Sequence, residues 1–271
     1  MRGTSSTSLR EVTQRSQQLL GGADAPLERT AADLFSLADA IDSSNQLVRA
    51  LSDGGRPAEV KQQVVRSLFE GKVGAPALEL ALEVVARRWS EQEDLLDALE
   101  QLGLESLLEL ADRQGVLGRV EEELFQVSRV IEDSPALSAA LDDVRDDTAA
   151  REGIVSRLFE GRIHALSVLL ARRAVGRRTE AKPVRRLLDI AEIASERRRR
   201  LLAVVTSARP LSPEQQSRLE GILARVYGQA VQSNYEQDED VVGGLRIQVG
   251  DDLYDATVLA RLATARTRLV A

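Results

Sequence analysis

The residues with the best claim to chemistry in this chain are few and scattered. Gly243-Gly244 has the composition of a phosphate loop, Gly250-Asp251-Asp252 resembles the start of a calcium loop, and His164 is the sole imidazole. Each falls short on spacing. An anion needs a helix N-terminus behind the glycines, whereas Gly243-Gly244 is followed by Leu245 to Val249, which reads as a strand. Calcium needs alternating oxygen donors closed by a glutamate, and no such loop follows Asp252. One histidine and no cysteine leave too few ligands for a transition-metal site, and nothing pairs with His164 in sequence as acid or nucleophile. Both glycine motifs therefore read as turns. Trp89, beside Arg87-Arg88, reads as core or interface packing. Without cysteine there are also no disulfides and no thiol catalysis. The expected catalytic, metal and cofactor sets are all empty.

Charge offers one more candidate. The chain carries a net charge of −7 with 36 basic and 43 acidic residues, which argues against general nucleic-acid binding. Yet the interval 150–210 holds 15 Arg plus Lys against 6 Asp plus Glu. No aromatics are interleaved there to stack bases. The favoured reading is a solvated helix face with positive charge near helix C-termini, and an acidic protein partner is the other.

The elements that carry these residues are mostly helical. Of 271 residues, 43% are hydrophobic but only 3% aromatic, so the cores are built from Leu, Val, Ile and Ala, which suits helices. No apolar run approaches the roughly 18 residues needed to span a bilayer. The best, Ala77 to Ala86, is broken by Glu79 and Glu83, and Met1 to Ser8 lacks a signal-peptide apolar core. The chain itself is expected to be soluble, with membrane association only through partners.

The first two-thirds contain a duplication. Arg66-Ser67-Leu68-Phe69-Glu70-Gly71-Lys72-Val73 recurs as Ser156-Arg157-Leu158-Phe159-Glu160-Gly161-Arg162-Ile163, an offset of 158 − 68 = 90. Aligned without a gap, 34–88 and 124–178 share 19 identities in 55 positions. That period is the size of a small domain, not of a solenoid repeat. Leu34, Ala38 and Ile41, and their partners Leu124, Ser128 and Ile131, fall on one helical face. Asp133-Ser134-Pro135 signals a helix start, and Gly54-Gly55-Arg56-Pro57 is assigned to the corresponding break in the first copy. Leu68-Phe69-Glu70-Gly71 and its twin each predict a helix ending on a C-terminal glycine. A long helix is predicted from about Glu91 to Gln114, joining the copies.

After Arg197 to Arg200 the pattern changes. Leu201 to Thr206 reads as a buried strand, and Ser212-Pro213-Glu214-Gln215 as a capped helix start, with Leu219, Leu223 and Val226 as the apolar face of a helix ending near Gly228. Ala230 to Tyr235 and Leu245 to Val249 read as two strands joined through an acidic turn and Gly243-Gly244, and Thr257 to Val270 as a closing helix. The predicted fold class is mainly α: two tandem helical bundles, 1–93 and 94–200, followed by a small α/β C-terminal domain, 201–271.

This order, with Val204, Ser207-Ala208, Pro210-Leu211-Ser212, Gly243-Gly244, Val249-Gly250-Asp251, Asp255 and Arg261-Leu262, resembles the delta subunit of the F-type ATP synthase, the family of the mitochondrial oligomycin-sensitivity-conferring protein. Leu107 to Leu124 is similar to the first two helices of that family's N-terminal domain, so 1–93 is expected to be an extra copy. Gln237, Tyr254 and Ala256 depart from the family pattern in ways that touch turn geometry and no chemistry. On the resemblance, Ser207, Pro210, Leu211, Gly243, Gly244, Gly250 and Asp251 are structural motif residues, not catalytic ones. It further implies a non-catalytic peripheral-stalk subunit on the cytoplasmic face of a bacterial plasma membrane. Its expected partners are the N-terminal helices of alpha subunits and the C-terminal end of the b subunit, with no nucleic acid, no cofactor and no direct membrane insertion. The extra bundle would add an attachment, so its removal is expected to weaken holding without unfolding 94–271. The alternative is a helical adaptor whose basic interval binds an acidic partner or nucleic acid.

Overall fold

The offset of 90 is kept helix by helix. In a computed structural model of the chain, which describes residues 3–142, 147–177, 181–198, 201–227, 231–238, 241, 243–249 and 252–255, the first helices are α1 (Thr4–Leu20), α2 (Leu27–Asp42), α3 (Asn45–Ser52), α4 (Ala58–Phe69) and α5 (Ala75–Ala86). Then come α6 (Gln92–Arg113), α7 (Leu117–Glu132), α8 (Pro135–Asp142), α9 (Thr148–Phe159), α10 (Ala165–Gly176) and α11 (Pro183–Arg198). Adding 90 to the bounds of α2, α3, α4 and α5 reproduces those of α7, α8, α9 and α10 without a residue of slip.

α6 has two counterparts. Shifted back by 90 it covers 2–23 and overlies α1; shifted forward it covers 182–203 and overlies all of α11. One helix therefore closes the first copy and opens the second. Its leucines point to two cores. Leu95, Leu96, Leu99 and Leu102 join Leu34, Leu37, Ile41 and Leu80 in one hydrophobic cluster. Leu104, Leu107, Leu108 and Ala111 join Val120, Leu124, Leu170 and Ile190 in another. A helix apolar around most of its circumference must be enclosed. The predicted ends hold, with Glu91 and Gln114 as the caps. Asp94 closes a capping box, its Oδ2 accepting from the Glu91 amide at 3.2 Å and from Ser5 of α1 at 2.6 Å.

Ser134 caps α8 through its Oγ, which accepts from the Leu137 amide at 3.4 Å. Its equivalent, 134 − 90 = 44, is Ser44, which caps α3 in the same way at 3.3 Å to Leu47. The Gly54–Pro57 break is thus one connection later than expected, between α3 and α4. Gly71 and Gly161 also act differently from the expected helix cap. Glu70 has φ −59° and ψ 131°, Gly71 has φ 77°, and the Lys72 amide donates to the Phe69 carbonyl at 2.9 Å. That is a type II turn, which demands positive φ at its third residue and hence glycine. The second copy repeats it at Glu160-Gly161.

Contacts divide the chain into two compact units, Met1–Ala194 and Ser195–Ala271. The second unit has β1 (Leu201–Ser207), α12 (Pro213–Tyr227), β2 (Val231–Gln237), β3 (Leu245–Val249) and β4 (Asp252–Asp255). The chain is mainly α with a small α/β part, as the sequence predicted. The strand order is β2-β1-β3-β4. β1 pairs parallel with β2, antiparallel with β3, and so lies inside the sheet. Its inward residues alternate, with Ala203, Val205 and Ser207 buried. Leu223, Val231 and Val249 pack with Ala203 into the third core, Leu219 and Tyr227 beside them.

Two expectations fail here. β2 and β3 do not form a hairpin through Gly243-Gly244; they flank β1 on opposite sides, and β3 pairs with the unpredicted β4. Val226 is 63% exposed and lies off the apolar face, which Tyr227 completes instead. The Ser212 cap is as read: the Gln215 amide donates to Ser212 Oγ at 3.3 Å and the Ser212 amide to Gln215 Oε1 at 2.9 Å. The closing helix expected over 257–270 lies outside the described residues.

Candidate functional site

The charged residues buried in the first unit are what distinguish it, and they repeat at 90. In the first copy, Asp33 Oδ2 accepts from the Gly74 amide at the N-terminus of α5, 2.8 Å, and Arg29 pairs with Asp33 one turn away. In the second, Glu123 Oε2 accepts from the His164 amide at 2.8 Å and from Ser167 Oγ at 2.6 Å, and Arg119 pairs with Glu123. A carboxylate thus meets the positive end of each helix dipole. Cations meet the negative ends. Lys61 Nζ donates to the Arg87 carbonyl after α5, 3.4 Å, and Arg151 Nη2 to the Gly176 carbonyl closing α10, 2.9 Å. Lys61 and Arg151 are 3% and 1% exposed. The two central helices are held at both ends by complementary buried charge. His164 is accounted for: it caps α10, its Nδ1 accepting from the Leu166 amide at 3.3 Å. Trp89 is buried, its Nε1 donating to the Val84 carbonyl at 2.9 Å.

Burial alone would raise the Glu123 carboxyl, but hydrogen bonds from Ser167, Arg119 and the His164 amide outweigh it and hold it below the usual carboxylate range. A depressed folded pKa contributes stability that is complete above the unfolded value of about 4.5 and is lost as pH falls through the folded one. Glu123→Gln should therefore cost about 1–2 kcal/mol at pH 7. The loss should shrink below about pH 4; denaturant melts at pH 7 and pH 3.5 would show it, and an equal deficit at both would refute the carboxylate's role.

Between the copies sits a lock built from three helices. Arg173 of α10 is 8% exposed; its Nε donates to both Glu100 oxygens of α6 at 2.9 Å, and its Nη1 reaches Asp39 of α2 at 2.7 Å. The guanidinium carbon lies 4.6 Å from the centroid of the Phe35 ring on α2. Burial opposes the Arg173 charge, but Glu100 and Asp39 outweigh it and raise its pKa above the ordinary arginine value. Arg177 pairs with Asp97 across the same joint. Phe35 rests over Gly103 of α6, where a Cβ would fall 2.8 Å from Phe35 Cδ1 and 2.9 Å from Cζ. Gly103→Ala in an open helix would gain about 1 kcal/mol. Here the crowded ring reverses the sign, and a net loss of about 1–2 kcal/mol is expected in thermal melts.

The basic interval is mixed: Arg157, Arg162, Lys182, Arg185, Arg198 and Arg209 are exposed, while others are buried or paired. Arg151 and Arg173 are buried, and Arg172, Arg173, Arg177 and Arg185 pair with Glu152, Glu100, Asp97 and Asp189. Among the described residues no group of three or more His, Cys, Asp or Glu is placed to hold a metal, and no helix is long and apolar enough to cross a membrane. The hollows beside Arg49 and Arg56, and beside Lys182 and Leu188, are open surface depressions without convergent catalytic groups.

The motif residues of the second unit do not converge either. Ser207 ends β1, donating from Oγ to the Arg209 carbonyl at 2.8 Å, and pairs in register with Leu245. Gly243 and Gly244, with φ 66° and 87°, lead into Leu245. They share the sheet end of Ser207, from which Pro210 and Leu211 continue to α12. Gly250 and Asp251 lie outside the described residues; Val249 and Asp252, which flank them in sequence, pair at the opposite end of the sheet.

The comparisons with known proteins decide the family. The family model described as ATP synthase delta (OSCP) subunit matches residues 104–269. The chain belongs to this family. ATP synthase subunit delta of Beutenbergia cavernae is 41% identical over 99% of both chains, and that of Streptomyces avermitilis 40% identical over 96% of this chain and 97% of its own. That of Kineococcus radiotolerans is 39% identical over 92% and 89%. Delta-family members are non-catalytic subunits of the peripheral stalk, within a membrane-associated ATP-synthesising complex. The family match begins at Leu104, the first α6 residue of the second core. The relatives align through the first copy as well.

Proposed function

We propose that this delta-family chain ties the catalytic head of the synthase to the membrane-anchored stalk, at the cytoplasmic face of a bacterial plasma membrane, and resists the torque of the rotor. The helical unit receives the N-terminal helices of alpha subunits, and the sheet-containing unit holds the C-terminal end of the b subunit. The observation that carries this reading is the internal bracing of the helical unit: two cores share α6, and the buried Arg173–Glu100 pair ties α10 to it. A body that bears load benefits from such rigidity, and weak contacts on one rigid body add up through effective concentration. The first copy adds a further attachment of the same kind.

Calorimetric titration of the full chain with an alpha N-terminal peptide and, separately, a b C-terminal peptide tests it. Each should bind without displacing the other. If neither gives heat while the chain binds DNA in a salt-sensitive manner, the adaptor reading of the basic interval replaces this one.

A further inference from the structure

We propose that α6 is a latched hinge: it bends at Gly103 once the charged ties that cross it are undone, and so lets the two helical copies change their angle without opening either core. The device belongs to the helical unit and does not depend on the stalk reading.

Three observations meet at this position. The first is where the cores divide. Leu102 is the last buried α6 residue of the first core and Leu104 the first of the second; only Leu110, half-buried, touches both. The second is local weakness. A glycine inside a helix lowers its stability relative to alanine, and Gly103 sits near the middle of Gln92–Arg113. The equivalent residues of α1 and α11 are Thr13 and Ile193, so the glycine is a feature of the shared helix and not of the repeat. One turn on, the buried Ser106 donates from Oγ to the Leu102 carbonyl at 2.7 Å. That carbonyl is also the helical acceptor for the Ser106 amide, and such back-bonding loosens and bends helices. Gly/Ser pairs are a recurrent seat of helix kinks.

The third is a set of ties that cross Gly103 in both directions. Arg173 and Arg177, on α10 of the second copy, reach Glu100 and Asp97 on the first-copy half of α6, and Arg173 goes on to Asp39 of α2. Arg113, on the second-copy half, reaches the carbonyls of Leu20 and Gly22 at the end of α1, each at 2.7 Å. The Asp39 and Asp97 side chains are 59% and 44% exposed, so the outer ties are individually weak. Beyond the ties, α2 packs with the second core only through Ala31 and the Phe35 ring. A bend at Gly103 therefore uncovers little apolar surface, whereas a bend elsewhere in α6 would pull leucines out of one core or the other.

Amide hydrogen exchange on the full chain tests the hinge. The backbone bonds that span Gly103 have their donors at 104–107. Corrected for intrinsic rates, these amides should exchange about five- to tenfold faster than those of 96–102 and 108–111. Asp39→Asn with Arg177→Gln, which keeps the buried Arg173–Glu100 pair, should speed exchange at 104–107 by about threefold or more and leave the flanking amides unchanged. Gly103→Ala needs room and is made together with Phe35→Ala; compared with Phe35→Ala alone, it should slow exchange at 104–107 about fivefold. The chain has no cysteine, so spin labels on Arg49→Cys and Ala139→Cys, equivalent sites on α3 and α8, report the bend itself. Their distance distribution should broaden when Asp39→Asn and Arg177→Gln cut the outer ties. Uniform protection along α6, faster exchange spread over the whole helix, or a distribution as narrow after the ties are cut as before overturns the proposal. So does a Gly103→Ala without effect in the Phe35→Ala background, which would make the glycine a seat for the ring and nothing more.

Discussion

Arg173→Ala should be the most damaging single substitution in the helical unit, costing about 3–5 kcal/mol. The reason is asymmetric. Glu100 is 6% exposed as a residue and accepts all its described charge-assisted bonds from Arg173. Removing the guanidinium leaves a buried carboxylate without compensation, which costs far more than the net worth of the pair. In thermal melts a loss of this size corresponds to a fall of roughly 10 °C for a unit of this length. Two controls separate the mechanism from simple loss of packing. Arg173→Met with Glu100→Leu removes both charges and keeps the volume, and should recover most of the stability. Asp39→Asn removes the outer acid, whose side chain is 59% exposed, and should cost under about 1 kcal/mol. A double variant as unstable as Arg173→Ala alone would show that the pair is not the source.

A chain starting at residue 94 should fail to form a native helical unit. This reverses the expectation drawn from the duplication, that 94–271 would stand alone, and α6 is the reason. The cut falls in its first turn, removing the Glu91 cap with Gln92 and Glu93, and strips Leu95, Leu96, Leu99 and Leu102 of the core they complete. At about 1.5–3 kcal/mol for each exposed leucine, the loss is roughly 6–12 kcal/mol, comparable with the whole stability of a typical domain, about 5–15 kcal/mol. Arg173 would also lose Asp39 and the Phe35 ring. The truncated protein should bind a hydrophobic dye and unfold without a sharp transition. A cooperative melt within a few degrees of the full chain would show that α6 can turn its first half away from water unaided.

The two predictions mark where sequence reasoning reached and where it stopped. The helices were legible because their signals are local: Leu spacing, Ser134 before Pro135, the Ser212–Gln215 box. β1 was legible because its first five residues, Leu201 to Val205, form a continuous apolar run. The pairing of β2 and β3 was not, because two strands next to each other in sequence look like a hairpin whether or not a third lies between them. The buried charges were missed for two different reasons. Asp33 and Glu123, and Lys61 and Arg151, keep the charge across the copies but not the identity, so a count of identical residues passes over them. Scoring charge at offset 90, together with Arg29 and Arg119 four residues earlier, would have found the carboxylates. Arg173 leaves no such trace: its counterpart is Glu83, and an arginine in a basic stretch reads as solvated unless its partners, 73 and 134 residues away, are known.

The shared α6 also sets the arithmetic by which such a chain can grow. Two separate six-helix bundles would need twelve helices, but α1 to α11 are eleven. Each added copy contributes five, because its first helix is already present as the last of the copy before. The inheritable module is then 90 residues, while the folding module is longer than that by one helix. Gene duplication at that interval delivers a new bundle without a linker to lengthen or an end to reseal, at the condition that the borrowed helix be apolar on two sides. Dividing the copies again would take more than a cut. It would require a second α6 and a polar face for each.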